Sequence, residues 1–432
     1  MTYEDAIAWW YGRIDYERRA PVPGELKLDQ IRSLLGHLGN PHQRLRIIHI
    51  AGSKGKGSTS AILDRILRAA GYRTGLFTSP HLCQVEERIQ VNGEPISHGE
   101  IASLLAEVRD AASSLQPTFF EVATAIGFLH FVRRRVELAI IEVGLGGRFD
   151  STNICQPLVS LIISISFDHM KFLGDNLASI AFEKAGIIKP GQPVVSGVSI
   201  VEAAEVIDRV AAERGSRLIK LGRDFSFAYE PGQVGGRGPR VTVRTRDRLW
   251  PAFELGLLGG HQATNAACAI SCIEELHRLG LSVRDADVAE GLLRVQWPAR
   301  LEVLSRAPWV VLDCAHNVAS IQAMIDTLAE SFPAGRRLLI LAASSDKDVP
   351  GILRTVAPHF QRFLLTRYTL NQRAAPPQEM AEELKKYTEA PIEIQADPVD
   401  AWKSAKREAG PNDLLVVTGS VFLAGELRPH LV

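Results

Sequence analysis

No net charge is carried by the 432 residues, 49 of them basic and 49 acidic, which removes the bulk electrostatic reason to expect nucleic acid or a membrane surface as a partner. The sharpest basic run, Arg133 to Arg135, reads as a solvated helix end. Long apolar runs are missing too, and the richest stretch, VSLIISIS, is far too short to span a bilayer. The opening MTYEDAIAWWYGRIDYERR lacks the apolar centre and small-residue cleavage site of a signal peptide, so the expectation is a cytoplasmic protein. Cysteine is scarce: five residues at 83, 155, 268, 272 and 314 show no C-x-x-C spacing, which argues for reduced thiols rather than a disulfide framework. Cys268 and Cys272, four apart on a predicted helix, read as two small buried hydrophobes in preference to a metal pair. No internal repeat or low-complexity tract is present, and no G-x-G-x-x-G follows any strand of the second half, which argues against nicotinamide binding there.

What is present is length and rhythm. A chain of 432 residues exceeds the usual size of one core, so two domains are expected. Apolar strands alternate with helical segments: RIIHIA, 58 to 70, RTGLFTS, 97 to 114, 119 to 135, LAIIEV, LVSLIISIS, a helix near 178 to 186, and PVVSGV. That pattern predicts an α/β fold, a P-loop-type, mostly parallel sheet with helices on both faces. From about 217 to 258, glycine turns between short strands predict a small β insertion late in this domain, followed by a helix over 262 to 279 that Gly280 stops. The stretch RVQWPARLEVL, 294 to 304, is the expected linker, giving domains of 1–296 and 297–432. The second holds about five strands, WVVLDC, RLLILAAS, RFLLTRY, PIEIQA and DLLVVTGS, between helical segments, and suits a smaller Rossmann-like domain.

The sharpest motif lies at residues 46 to 70, where RIIHIA runs into GSKGKGST and then a helix with apolar Ile62, Leu63, Ile66, Leu67 and Ala70. Gly52, Gly55 and Gly57 allow amides to converge on one anion at a helix N-terminus. Lys56 adds a charge for terminal phosphates, and the hydroxyl of Ser58 or Thr59 can reach a magnesium ion. The spacing departs from G-x-x-x-x-G-K-[ST], since Ile50 stands five before Gly55 and Gly57 separates Lys56 from Ser58. A ligand-free glycine turn is the plainer alternative, but strand, lysine and amphipathic helix come in the required order.

Ligands of an open parallel sheet bind beyond the carboxyl ends of its strands, which selects Ser79, Glu142, Asp168 and His169 beside the phosphate turn. Glu142 is placed inside an otherwise apolar strand and needs a partner: a metal, or a buried ion pair with Arg148 or Arg88. His169 alone would pass for an ordinary turn histidine. With a P-loop serine and Glu142 on neighbouring strand ends, both become candidate magnesium ligands.

The blocks AGSKGKGST, TSPHL with ERIQVNGEPIS, FFEVATAIGF, EVGLGGRFDSTN, DHMKFLG with IAFEKAGIIKPGQPVVSG, GGHQATNAA, WPARLEVL, DCAHN, DKD and VVTGS together resemble the folylpolyglutamate synthase family, including its dihydrofolate synthase members, over nearly the whole chain and in the family's order. That family belongs with the muramyl peptide ligases among ATP-dependent amide ligases. The resemblance implies ATP, L-glutamate and dihydropteroate or a folate as substrates. A carboxylate takes the γ-phosphate to form an acyl phosphate, and the glutamate amine then displaces phosphate. It also implies magnesium, leaves the need for a monovalent cation such as K+ open, and suggests a monomer.

Carried over by motif, Ser58, Ser79, Glu142 and His169 would hold magnesium and Lys56 would meet the β and γ phosphates. Lys184 matches a lysine that is carbamylated in the family, whose anion would bind a second magnesium; without the resemblance it reads as a helix-surface lysine paired with Glu183 or Asp175. Asn265 would meet the adenine. Arg300, Asp313 and His316 would contact phosphates and ribose, Arg300 being delivered by domain closure or else forming an interface salt bridge. Phe120, Glu121 and Asp150 would surround the pteridine. Ser420 would lie near the glutamate, with a helix cap as its alternative.

Four positions depart from the family's pattern: Ser53 stands for threonine, Lys54 for asparagine, Cys314 for glycine and Val318 for proline. CQVEERI also differs in a loop that touches the folate. A muramyl peptide ligase would need an additional N-terminal domain, for which about 45 residues before the turn leave no room. A catalytically silent nucleotide-binding regulator would have lost Lys56, Ser58, Glu142 or His169, and all four are present. A P-loop kinase or GTPase would leave the second domain unexplained.

Overall fold

The computed structural model describes residues 1–16, 27–167, 170–333, 335–369 and 371–431, the side chain of Lys171 excepted. It divides into two compact units, one of residues 1–229, 241–254 and 262–295, the other of 230–240, 255–261 and 296–432. The chain passes between them five times, the last time between Val295 and Gln296. Among the described residues no helix is long and apolar enough to cross a membrane.

The first unit is built on eight strands: β1 (Ile47–Ala51), β2 (Thr74–Phe77), β3 (Ile89–Val91), β4 (Glu94–Pro95), β5 (Leu138–Glu142), β6 (Pro157–Ile162), β7 (Val194–Ser196) and β8 (Leu218–Lys220). Their order is β4-β3-β2-β5-β1-β6-β7-β8, with β2 to β8 parallel across the sheet's centre and the β3 and β4 pairings antiparallel at one edge. All five residues of β1 are buried, as expected for a strand covered by helices on both faces. The helix Lys56–Ala69 leaves β1 through Gly55, which sits in the left-handed region at φ +83° and serves as its N-cap. The flanking helices His98–Ala111 and Phe119–Arg133 each begin with a capping box, Ser97 with Glu100 and Thr118 with Glu121.

One local expectation in this unit is corrected. Residues 218–220 do not belong to a hairpin insertion: β8 pairs in parallel with β7 as the far edge of the main sheet. Only three residues long and half-buried, it offers too little pattern to separate from the strands after it. Those strands, β9 (Phe225–Glu230), β10 (Arg240–Thr245) and β11 (Phe253–Glu254), form their own small sheet in the order β11-β10-β9. The β3–β4 hairpin was absent from the sequence reading, although its turn residues Asn92 and Gly93, both at positive φ (52° and 79°), are a strong hairpin signal.

The second unit carries β12 (Glu302–Arg306), β13 (Trp309–Leu312), β14 (Arg337–Leu341), β15 (Arg362–Leu365), β16 (Ile392–Ile394) and β17 (Leu414–Thr418), in the order β12-β13-β17-β14-β15-β16. The sheet therefore has six strands rather than five. The additional one, β12, overlaps the stretch read as linker and pairs antiparallel with β13. As an edge strand with every residue at least partly exposed, it shows no apolar alternation to betray it.

None of the five cysteines is in a disulfide, and Cys268 and Cys272 are fully buried in the helix Gly260–Arg278 with the pKa of both thiols pushed up by burial, as small hydrophobes would be. The phosphate-turn helix is backed by the helix Asp285–Arg294, and the two approach closely at Gly291, where a Cβ would lie 2.6 Å from Ile66 Cα. Gly291→Ala should therefore destabilise the fold by about 1–3 kcal/mol in urea denaturation. Gly36→Ala, in a helix with nothing within 4 Å of the new Cβ, should be neutral or stabilising.

Candidate active site

The phosphate turn is pinned to the chain that leaves β6. Ser53 N donates to Ser164 O at 2.8 Å and Lys54 N to Ser164 Oγ at 2.9 Å. Ser53 Oγ donates to Ser166 O and accepts from Ser166 N, both at 3.0 Å. The two departures from the family's turn sequence thus anchor through backbone groups and a hydroxyl that threonine shares. The first amides of the following helix have no intrahelical acceptor and are oriented for an anion. From the helix Gly260–Arg278, Asn265 and Gln262 close the other side. A Cβ on Gly55 would come within 2.3 Å of Asn265 Oδ1, Asn265 Nδ2 donates to Gln262 Oε1 at 2.9 Å, and Gln262 Nε2 donates to Ser58 Oγ at 3.3 Å. Asn265 was selected from the sequence; Gln262, three residues earlier in the same block, was not. Thr59 is fully buried, its hydroxyl without a hydrogen-bond partner, which leaves Ser58 as the hydroxyl that engages neighbouring groups.

Glu142 ends β5 opposite Ile50 of β1, and it is buried. Its Oε2 accepts from Ser79 N at 3.2 Å, just past β2, and its Oε1 lies 3.8 Å from Lys56 Nζ. Lys56 Nζ also donates to Gly52 O at 3.2 Å. The ion pair foreseen as the alternative to a metal therefore exists, but with Lys56. Arg148 instead pairs with Glu183 at 2.6 Å, and Arg88 donates from Nε to His81 Nδ1 at 2.8 Å. Asp168 and His169, expected beside these groups, lie outside the described residues.

Lys184 belongs to the helix Leu177–Ala185 and is buried, only 5% exposed, which corrects its reading as a surface lysine; Glu183 is engaged by Arg148. The loop after β5 packs on this helix end: Arg148 N donates to Glu183 O at 2.8 Å, and a Cβ on Gly147 would meet Lys184 O at 3.0 Å. Phe120 lies against the same loop, where a Cβ on Gly144 would be 2.5 Å from its ring. Asp150 is buried and takes four donors, Gly144 N (3.0 Å) and Leu145 N (2.9 Å) on Oδ2, Thr152 N (3.0 Å) and Thr152 Oγ1 (2.5 Å) on Oδ1. Burial pushes its pKa up and the hydrogen bonds oppose that. Glu121 turns its Oε2 to Thr118 N (2.8 Å) and Gln30 Nε2 (3.1 Å), so its carboxylate caps its own helix.

In the second unit, Asp313 follows β13 and accepts from Leu301 N (3.0 Å) and Ala315 N (2.7 Å); burial raises its pKa, which Arg300 works to lower. Arg300 is held between two non-glycine residues in the left-handed region, Ala299 at φ 53° and Leu301 at φ 49°, a conformation sustained only where the surroundings enforce it. Its Nη1 contacts the Cys314 thiol. Cys314 is not among the positive-φ residues, so the glycine it replaces was not needed for backbone reach. His316 Nδ1 donates to Cys314 O at 2.9 Å. Ser420 Oγ accepts from Phe422 N at 3.1 Å, the foreseen helix cap. Tyr368, whose hydroxyl is shared with Ser344 at 2.7 Å and with Ser420, went unnoticed, although both Tyr368 and Ser344 follow strand ends where the rule used for the first unit would have found them.

Residues 50–273 match the Mur ligase middle domain and residues 299–421 the Mur ligase, glutamate ligase domain. The dihydrofolate synthase/folylpolyglutamate synthase of Bacillus subtilis is 34% identical over 443 residues, spanning 100% of this chain and 99% of its own. Among solved structures, Mycobacterium tuberculosis folylpolyglutamate synthase complexed with ADP superposes with a TM-score of 0.89 at 30% identity, covering 99% of this chain and 98% of that one. E. coli FolC in complex with DHPP and ADP gives 0.88 at 25% identity over 100% and 98%.

The turn's geometry predicts that Gly55→Ala, with its Cβ driven into Asn265 and a backbone at φ +83°, lowers ADP affinity at least about tenfold by calorimetric titration. Gly71→Ala carries the same left-handed penalty at φ +89° with nothing within 4 Å. It should lose about 1 kcal/mol of stability and no ADP affinity.

Proposed function

The chain belongs to the folylpolyglutamate synthase/dihydrofolate synthase family of Mur ligases, and from that premise we propose that it uses ATP to join L-glutamate to dihydropteroate, to reduced folates, or to both. The observation that carries the reading is the meeting of Lys56 and Glu142 at the carboxyl ends of two adjacent parallel strands, beside a helix N-terminus. The pteroate or folate carboxylate attacks the γ-phosphorus of ATP, ADP leaves, and an acyl phosphate forms. The glutamate amine then attacks the acyl carbon and phosphate departs. Phosphoryl transfer of this kind depends on positioning and charge neutralisation. The turn amides and the Lys56 ammonium bind and orient the β and γ phosphates.

The donors present fit magnesium, because hydroxyl oxygens and the Glu142 carboxylate are hard ligands. Ser58, Ser79 and Glu142 would hold it, with His169 added by the family's motif, and it would supply charge neutralisation at the transferring phosphate. The inward position of Lys184, only 5% exposed, is the observation that supports its assignment to carbamylation. Arg300, Asp313 and His316 are assigned to the nucleotide's phosphates and ribose, and Asn265 to its base. Phe120, Glu121 and Asp150 are assigned to the pteridine, where a ring N–H would share an oxygen with one of Asp150's present donors. Ser420 is assigned to glutamate, with Tyr368 and Ser344 beside it. The monomeric state rests on the family resemblance alone and the cytoplasmic location on the make-up of the opening residues, and assays with and without K+ decide whether that ion is needed.

The test is glutamate-dependent phosphate release from ATP with dihydropteroate and tetrahydrofolate offered separately and the products weighed. Release with one substrate assigns that single activity, and release with both a bifunctional enzyme. Release with neither, in protein that binds ADP, contradicts the proposal. Lys56→Ala and Glu142→Gln should each lower kcat about 10²–10³-fold while the melting temperature stays within a few degrees.

A further inference from the structure

A histidine at the centre of a parallel sheet is out of character for a position that normally takes Val or Ile, and the proposed ligation leaves it unused. His49 is the third residue of β1, opposite Ile141 of β5 and Ser160 of β6, and it is 0% exposed. Burial pushes its pKa down to about 3, so the ring is neutral. Its Nε2 lies 2.9 Å from Thr152 Oγ1. That hydroxyl spends its one proton on Asp150 Oδ1 at 2.5 Å, so it can only accept from the ring, and His49 must carry its proton on Nε2. The opposite nitrogen, Nδ1, has no hydrogen-bond partner, which agrees with a bare lone pair in this tautomer.

The relay continues from Asp150 Oδ2 to the amides of Gly144 (3.0 Å) and Leu145 (2.9 Å), the second and third residues past Glu142. Beside Thr152, Asn153 Nδ2 donates to Arg148 O (3.0 Å) and Gly186 O (3.1 Å), which ties the same turn to the end of the helix that bears Lys184. An apolar residue at position 49 would pack equally well but would leave the Thr152 oxygen buried without its donor. The imidazole therefore contributes direction rather than burial.

We propose that His49 is a positioning residue for the ligase reaction, holding through Thr152 and Asp150 the exit of β5 that carries Glu142 in fixed register with the strand that delivers the phosphate turn. The readout rests on the proposed function. His49→Leu removes the donor and His49→Gln retains one. Thr152→Val breaks the relay without touching β1, while Thr152→Ser keeps the hydroxyl. His49→Leu and Thr152→Val should lower kcat about 10–100-fold with the Kd for ADP changed less than about threefold, and the Gln and Ser variants should recover most of the loss. The double variant should be no worse than the poorer single one, because both break one chain.

Thr152→Val with wild-type kcat, or losses that multiply in the double variant, would overturn the role of His49. So would a merely structural pattern, a lowered melting temperature with kcat unchanged. If His49→Leu does not fold, the comparison of Thr152→Val with Thr152→Ser decides alone. Wild-type protein that turns over no pteroate or folate contradicts the proposed function instead, so the two failures are distinguishable.

Discussion

A parallel strand delivers its chain at one edge of the sheet, and a strand flanked by two parallel neighbours delivers it between theirs. β1 lies between β5 and β6, so the phosphate turn emerges with Glu142 on one side and Ser164 and Ser166 on the other. Ser79, past β2, follows one strand further out. This arrangement converts residues more than a hundred positions apart into one cradle, with hydrogen bonds of 2.8 to 3.0 Å fixing the turn to the β6 exit. Gly55 completes it, since any side chain there would strike Asn265.

The same strand ends concentrate the fold's least comfortable groups. Glu142, His49, Asp150 and Lys184 are all buried, where an unpaired charge or donor costs several kcal/mol. The cost is offset by partners: Lys56 and Ser79 N for Glu142, Thr152 for His49, and four donors for Asp150. Left-handed backbone at Ala299 and Leu301 around Arg300 is a comparable tension in the second unit. Strained or desolvated polar groups gather where chemistry is needed, and here Glu142 and Asp313 mark the ends of parallel strands β5 and β13.

Much of this was legible in the amino-acid sequence, for physical reasons. The phosphate turn, the strand–helix alternation and the helix Val318–Ser331 carry strong periodicity or motif chemistry, and the structure has these elements in the expected order, with ends that shift by up to four residues. Edge strands were the failures: β8 and β12 are short and half-exposed, so their patterns carry little information. The β3–β4 hairpin announced itself through Asn92–Gly93 and was passed over. Partner choice was also hidden, because Glu142 pairing with Lys56 rather than Arg148, and Lys184 facing inward, are decided by tertiary packing that spacing does not encode. Among the proposed pteridine residues, the capping duty of Glu121 was readable from Thr118-x-x-Glu121, whereas Asp150's four donors depended on the fold.

The account turns on an acyl phosphate formed from the substrate's own carboxylate. Dihydropteroate, or a reduced folate if that is the substrate turned over, should be labelled with 18O in both oxygens of its reacting carboxylate and incubated with ATP, magnesium, glutamate and the protein. The released phosphate should then be analysed by mass. One 18O per phosphate is the predicted result, because the oxygen that attacks the γ-phosphorus leaves with it. Phosphate without 18O, alongside formation of the glutamate amide, would contradict the account and require activation that never joins the carboxylate to phosphorus.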